Sequence, residues 1–122
     1  MNLFQLFRVT GVANNITYDD GLKSTETEKK NLVAIHLEVA AYAATDDNEI
    51  QGWQERAKIF EFPEKLFNAE LANATAPANT RPKMDQIPVG LEIPVGETFK
   101  IAIKCAATLN SLRGAYEYEI VA

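Results

Sequence analysis

A change in residue spacing after Phe62 constrains the fold of this chain more than any other feature. Residues 53–62 alternate between apolar and polar side chains, which is the pattern of a β-strand. Beyond them, Phe67 and Leu71 are four residues apart and would share one face of a helix. The sequence therefore predicts a strand that runs into a helix near residues 63–73.

The remaining patterned segments all favour strands. They are residues 3–13, 31–44, 97–105 and 115–122. Two of these segments precede the strand–helix unit and two follow it, which is the element order of the five-stranded OB barrel. The sequence thus predicts a mainly β fold, an OB-like barrel with one short helix between strands three and four. The alternative is a β-sandwich or jelly roll.

Alternation also assigns faces and connections. The core face should carry Val33, Ile35, Leu37, Val39 and Ala41 on one strand, and Phe99, Ile101, Ile103 and Cys105 on another. The polar turn after residue 44 predicts that residues 31–62 form a long hairpin. Two copies of Ile-Pro-Val-Gly, at 87–90 and 93–96, predict two turns, and residues 108–114 predict a loop.

Length and composition limit the organisation of the chain. Its 122 residues fit one domain, 1–122, with mobile loops expected near 19–30 and 74–86. The one cysteine excludes an intramolecular disulfide and a thiolate zinc cluster, and favours a reducing compartment. We see neither a secretion signal nor a membrane span, so the expected location is the cytoplasm or, alternatively, a virion.

Catalysis has little support in the sequence. His36 is the only histidine and stands in mid-strand without a neighbouring nucleophile, so a structural role is expected. Cys105 lies on the core face, and the acidic turn at 46–49 lacks the spacing of a calcium loop. We therefore expect no enzymatic activity, no cofactor and no metal site.

Outward-facing basic and aromatic residues form the candidate binding site. It comprises Arg8, Trp53, Arg56, Lys58, Phe60, Lys100 and Lys104. Alternation puts Trp53 on the face of Glu55, Ala57 and Ile59, so the alternative for this residue is that it caps the core. The net charge of −5 argues against a strongly basic clamp, because Lys and Arg supply most of the non-specific affinity for phosphates. If these residues share a groove, however, they would neutralise a backbone and stack bases as single-stranded DNA requires. The alternative is that they are ordinary solvated positions.

Two short motifs resemble single-stranded DNA-binding proteins. The pattern Trp53-x-x-Arg56-x-x-Ile-Phe60 followed by Glu-Lys-Leu is similar to that of the bacterial proteins of this class. The stretch from Pro94 to Ile101, with Leu109-Asn-Ser-Leu112 after it, resembles the helix-destabilising proteins of filamentous phages. The resemblance implies an OB fold and a role in DNA replication. The chain departs from it by replacing the glycine before Lys-Leu and by lacking an acidic tail.

Two other classes of function remain open. A structural subunit of a phage or virus particle, and hence a homo-oligomer, suits an acidic β domain without a catalytic set. A carbohydrate-binding or accessory module would instead present Tyr42 or Trp53 on a flat face. Clustered basic residues would favour DNA binding, whereas an apolar or self-complementary patch would favour a subunit.

Overall fold

The computed structural model describes residues 2–40, 48–67, 86–107 and 109–121. These residues form nine strands: Leu3–Thr10 (β1), Ile16–Tyr18 (β2), Leu22–Lys23 (β3), Lys29–Val39 (β4), Glu49–Gln54 (β5), Ala57–Pro63 (β6), Gln86–Glu92 (β7), Thr98–Lys104 (β8) and Ser111–Val121 (β9). The mainly β prediction is confirmed. The final strand begins inside the loop predicted at 108–114.

The strands form two antiparallel sheets. The first sheet has the order β1-β9-β4-β7, and the second has the order β2-β8-β5-β6 with β3 also paired to β8. Pairing is nested along the chain: β1 pairs with β9, β2 and β3 pair with β8, β4 pairs with β7, and β5 pairs with β6. Among the described strands, the two sheets are not closed into a barrel.

The inner faces of the two sheets enclose one apolar core. The predicted inward residues of β8 are confirmed, because Phe99, Ile101, Ile103 and Cys105 are all buried. Burial raises the pKa of the Cys105 thiol, which keeps it protonated.

In β4, Ile35, Leu37 and Val39 are buried as predicted. The pairing of β4 shifts between Leu32 and Ala34, so Val33 is the bulge residue and Leu32 takes a core position instead. Ala41 lies outside the described residues.

Tyr116 ties the two sheets together across the core. Its side chain starts on β9 in the first sheet and is fully buried. Its hydroxyl accepts a hydrogen bond from the backbone N–H of Ile101 in β8 at 3.0 Å and donates one to Asp19 Oδ2 at 2.8 Å. Burial raises the pKa of Tyr116, so the hydroxyl keeps the proton that it donates. The hydroxyl thereby satisfies the N–H of Ile101, which lies between the residues of β8 that pair with β2 and those that pair with β3.

The hairpin predicted over 31–62 is not formed. β4 and β5 lie in different sheets, and the hairpin in this region is β5–β6. Its two-residue turn is Glu55-Arg56, with Glu55 in the left-handed region at φ +52°. This turn divides the strand predicted over 53–62. Two charged residues carry no turn signal, so alternation alone suggested one continuous strand.

The described part of the predicted helix is only a short turn. Glu64–Leu66 forms a single 3₁₀ turn, and Phe67 returns to extended backbone and is buried. The remainder of the prediction, residues 68–73, lies outside the described residues. The structure therefore supports a change of conformation after β6 but not an α-helix within its described part.

Glu64 belongs to a buried polar cluster. Its Oε2 accepts hydrogen bonds from Asn48 Nδ2 at 3.2 Å and from Asn110 Nδ2 at 2.6 Å. All three side chains are buried. Asn48 precedes β5 and Asn110 precedes β9, so the carboxylate holds three connecting segments at one end of the sandwich.

The two Ile-Pro-Val-Gly copies have different structures. The first, 87–90, lies within β7, so the predicted turn there is wrong. The second, 93–96, ends in a turn closed by the N–H of Glu97 on the carbonyl of Pro94, with Gly96 at φ +86°. Pairing with β4 makes the difference, because the first copy lies in the ladder and the second lies beyond it.

The segment predicted as a surface loop near 19–30 contains β3, and Leu22 and Ser24 in it are fully buried. Ser24 Oγ accepts a hydrogen bond from the N–H of Lys30 at 2.9 Å, which anchors the segment to the start of β4. The loop predicted near 74–86 lies outside the described residues, apart from Gln86 at the start of β7.

Candidate binding surfaces

Four of the seven predicted binding residues meet on the outer face of the second sheet. Trp53 in β5 lies directly opposite Lys100 in β8 and Lys58 in β6, and Arg56 lies in the turn that follows β5. Except for Lys58, they line a shallow groove together with Tyr18 and Glu55, which we call the Trp53 groove. The groove therefore joins two cations to two aromatic rings.

The aromatic rings of the Trp53 groove form an edge-to-face pair. The centroids of Tyr18 and Trp53 are 6.1 Å apart, with an interplanar angle of 73°. Trp53 Nε1 donates a hydrogen bond to Gln51 Oε1 at 2.9 Å, which fixes the orientation of the indole. Tyr18 is 46% exposed. Such a pair can stack against a planar ligand.

Two other predicted cations are paired with carboxylates. Lys58 Nζ lies 2.6 Å from Glu61 Oε2, and this hydrogen bond lowers the pKa of Glu61 and raises the pKa of Lys58. Lys104 Nζ lies 3.9 Å from Glu49 Oε2. Both pairs are exposed, so they contribute little stability, but they reduce the local positive charge. Lys58 and Lys104 are thus weaker candidates for phosphate contacts than Lys100 and Arg56.

Phe60 faces the core rather than the groove, and its predicted outward face is wrong. Its ring is partly buried, with its centroid 5.5 Å from that of Phe62 and 6.1 Å from that of Phe99. The pairing of β5 with β6 shifts between Gly52 and Trp53, so Ile59 is an extra residue in β6. The bulge makes Lys58 and Phe60 face opposite ways, which strict alternation does not allow.

Arg8 is not brought together with the other predicted residues. It lies on β1 in the first sheet, opposite Arg113 of β9, whereas the other six belong to β5, β6, β8 and the β5–β6 turn of the second sheet. Arg113 itself lies 2.7 Å from Glu38 Oε1. The shared groove expected from the sequence is thus reduced to Trp53, Arg56 and Lys100, with Lys58 beside Trp53 and with Tyr18 added.

The outer face of the first sheet carries apolar residues that the sequence analysis did not assign. Phe4 is 61% exposed and Leu6 is 76% exposed, both on β1. The sequence of β1 does indicate this surface, because it has apolar residues on both faces of the strand. Phe7 and Val9 are buried in the core, and Phe4 and Leu6 occupy the opposite face. A strand with two apolar faces indicates a second contact surface.

His36 lies on this same outer face. Its Nε2 is 2.7 Å from Glu117 Oε1, and Asn2 Nδ2 donates to Glu117 Oε2 at 2.5 Å. The hydrogen bond with His36 is the largest cause that lowers the pKa of Glu117. The ring of Phe4 lies 5.9 Å from the imidazole. His36 thus orders a surface cluster of one carboxylate, one amide and one aromatic ring.

No family model matches the chain, and no curated protein or solved structure is significantly similar to it. The resemblance to single-stranded DNA-binding proteins therefore stays a prediction. Within the described ranges, no three His, Cys, Asp or Glu side chains are grouped to hold a metal ion. No helix in that part of the chain is long and apolar enough to cross a membrane.

Proposed function

We propose that the chain is a small jelly-roll subunit that assembles with copies of itself into a particle, such as that of a phage or virus. The observation that carries the proposal is the nested pairing of the strands into two four-stranded sheets, with β2 and β3 as one interrupted edge strand. An eight-stranded double sheet built from two Greek keys is the jelly roll, which is typical of viral capsid domains and also of lectins and cupins.

The side chains inside the sandwich favour a subunit over a cupin-like enzyme. The largest buried side chains are apolar, apart from Tyr116 and Glu64, and both of these are hydrogen-bonded within the protein. The cysteine is buried, and the histidine is engaged by Glu117 on the outside. The described interior thus consists of packed, mostly apolar side chains, while the exposed Phe4 and Leu6 offer a surface for association.

Assembly can be tested with the purified chain. We expect light scattering after size exclusion to show a mass that increases with protein concentration between about 1 µM and about 1 mM, the range of weak to moderate interfaces. Electron microscopy of the concentrated sample should show regular particles or oligomers. Reversal on dilution, with an unchanged β-type circular dichroism spectrum, distinguishes assembly from aggregation. A strict monomer over the whole range would contradict the proposal.

A second function is favoured by the Trp53 groove, namely binding of single-stranded DNA without chemistry. Two rings for stacking beside Lys100 and Arg56 are the elements that such sites combine. A role in replication would follow, in the cytoplasm, and it is compatible with a particle subunit that contacts a packaged genome. The net charge of −5 predicts that binding depends on these few contacts.

Trp53 is the only tryptophan, so its fluorescence reports directly on the groove. We expect a mixed-sequence oligonucleotide to quench it in dilute buffer, and we expect Arg56→Gln with Lys100→Gln to flatten the salt slope of binding by about 1.4, at about 0.7 per phosphate contact. Lys104→Gln is the matched control and should change little, because Lys104 lies four residues along β8 from Lys100 and beside Glu49. Absence of quenching, or equal binding by the double variant, would remove this function.

A further inference from the structure

β1 is an edge strand with an exposed face. In the first sheet it pairs with β9 on one side, and within the described residues no strand is hydrogen-bonded on the other. Its outward residues are Phe4, Leu6, Arg8 and Thr10, all of them exposed. Natural proteins shorten, charge or cover such edges, because an exposed apolar edge strand pairs with other chains. Here an eight-residue edge keeps Phe4 and Leu6 exposed.

The side chains on the outer face of β1 and β9 change from acidic to basic along the strands. On β9, Glu117 lies opposite Phe4, Ala115 lies opposite Leu6, and Arg113 lies opposite Arg8. The outer face thus runs from an acidic end at Glu117, through an apolar middle, to a basic end at Arg8, where the neighbouring Arg113 is already paired with Glu38. Turning such a surface by 180° about its middle brings the acidic end of one copy against the basic end of another.

We propose that β1 pairs antiparallel with β1 of a second copy about a two-fold axis at Leu6, so that the two first sheets join into one continuous sheet. This inference rests on the proposed self-assembly and names the contact that would begin it. Leu6 then faces the second copy's Leu6, and Phe4 faces the second copy's Arg8. An isologous contact of this kind requires a surface that complements itself, which the charge order of β1 and β9 provides.

Three interactions would stabilise the contact. The strand edges exchange backbone hydrogen bonds, and the two leucines lose their exposure to water. The guanidinium of Arg8 reaches the ring of the opposite Phe4, a cation–π arrangement. The same Arg8 lies two strands, or about 10 Å, from Glu117 of the first copy, within the reach of its long side chain. Arg8 is suited to these contacts because it has no salt bridge within the described residues.

Cysteine scanning along β1 tests the register directly. Directly opposite residues have Cβ atoms about 4.5–5.5 Å apart, close enough for a disulfide after small adjustments. Under mild oxidation Leu6→Cys should therefore form a covalent dimer. Arg8→Cys alone and Phe4→Cys alone should not form a dimer. In the proposed register the two copies of either residue are offset by four residues along the paired strands, which is roughly 14 Å. An equimolar mixture of the last two variants should crosslink as a heterodimer.

Leu6→Glu supplies the non-covalent counterpart. Two like charges at the axis should weaken self-association at least tenfold, about the effect of 1.4 kcal/mol. Val95→Glu is the matched control, since Val95 is exposed outside β1 and should leave association unchanged. The native protein, in which Cys105 is buried, measures background oxidation. Circular dichroism checks that each variant is folded.

The outcomes separate this contact from the proposed function. Dimers from Leu6→Cys and from the mixture, but not from the two single variants, support the two-fold pairing. Equal crosslinking at all positions, or a native protein that assembles while Leu6→Cys stays uncrosslinked, overturns the contact and leaves the subunit role intact. A native protein that is monomeric at every concentration overturns both.

Discussion

Replacing Phe99 with alanine is expected to lower the free energy of unfolding by about 3–5 kcal/mol, among the largest effects of a single change in this protein. Phe99 is fully buried on β8, at the centre of the second sheet. Its ring lies 6.1 Å from that of Phe60 and 6.2 Å from that of Tyr116, so both sheets contact it. The surrounding residues belong to strands and cannot collapse into the cavity without breaking a ladder.

Denaturant titration followed by circular dichroism measures this loss. Phe4→Ala is the matched control, because the same atoms are removed from a side chain that is 61% exposed. The control should cost less than about 1 kcal/mol, as surface substitutions do. A loss below about 1 kcal/mol for Phe99→Ala would show that the assigned inner face of β8 is wrong.

Gly114→Ala is expected to cost at least about 3 kcal/mol, at the upper end of the range for overpacking. Gly114 lies on β9 opposite Leu37 of β4, and an added Cβ would overlap the carbonyl oxygen of His36 and lie 2.8 Å from Leu37 Cα. The obstacle is backbone of the neighbouring strand, which a rotamer change cannot remove. The two central strands of the first sheet would have to separate.

Gly90→Ala is an informative comparison. Nothing lies within 4 Å of an added Cβ there, but the backbone is left-handed at φ +61°. The expected cost is about 1–2 kcal/mol, from conformation alone. Thermal and urea unfolding of both variants measures the difference. If Gly114→Ala costs no more than Gly90→Ala, close approach of β4 and β9 at this point is disproved.

The sequence predicted what depends on a single strand. Alternation correctly placed Phe99, Ile101 and Ile103 in the core, because side-chain direction in a strand is a local property. It did not predict which strands pair, since β4 and β5 are adjacent in sequence and lie in different sheets. The bulges at Val33 and Ile59 also reversed local faces, and no residue type marks either position.

The candidate site was predicted only in part, because its residues were identified strand by strand while their grouping depends on which strands pair. Trp53 and Lys100 were both named as candidates, and the pairing of β5 with β8 brings them together on one outer face, although strict alternation put Trp53 on the face opposite to Arg56 and Lys58. Tyr18 was not predicted to join them, and Arg8 was not predicted to lie on the other sheet, because both depend on topology. The ion pair between Lys58 and Glu61 could have been predicted from the sequence, because the two residues are only three positions apart.

The nested pairing of the strands also governs when the protein can acquire its structure. β8 and β9 occupy interior positions in their sheets, yet they are the last two strands in sequence. During synthesis β1 must therefore wait for β9 before the first sheet can form. β5 and β6 can pair first, through the tight turn at Glu55-Arg56, and β4 can pair with β7 before β9 is made. Such a high contact order predicts slow folding on the scale of milliseconds to seconds. Until β9 emerges, the edge of β1 and the apolar faces are accessible to other nascent chains, which makes chaperone dependence during expression an expected property.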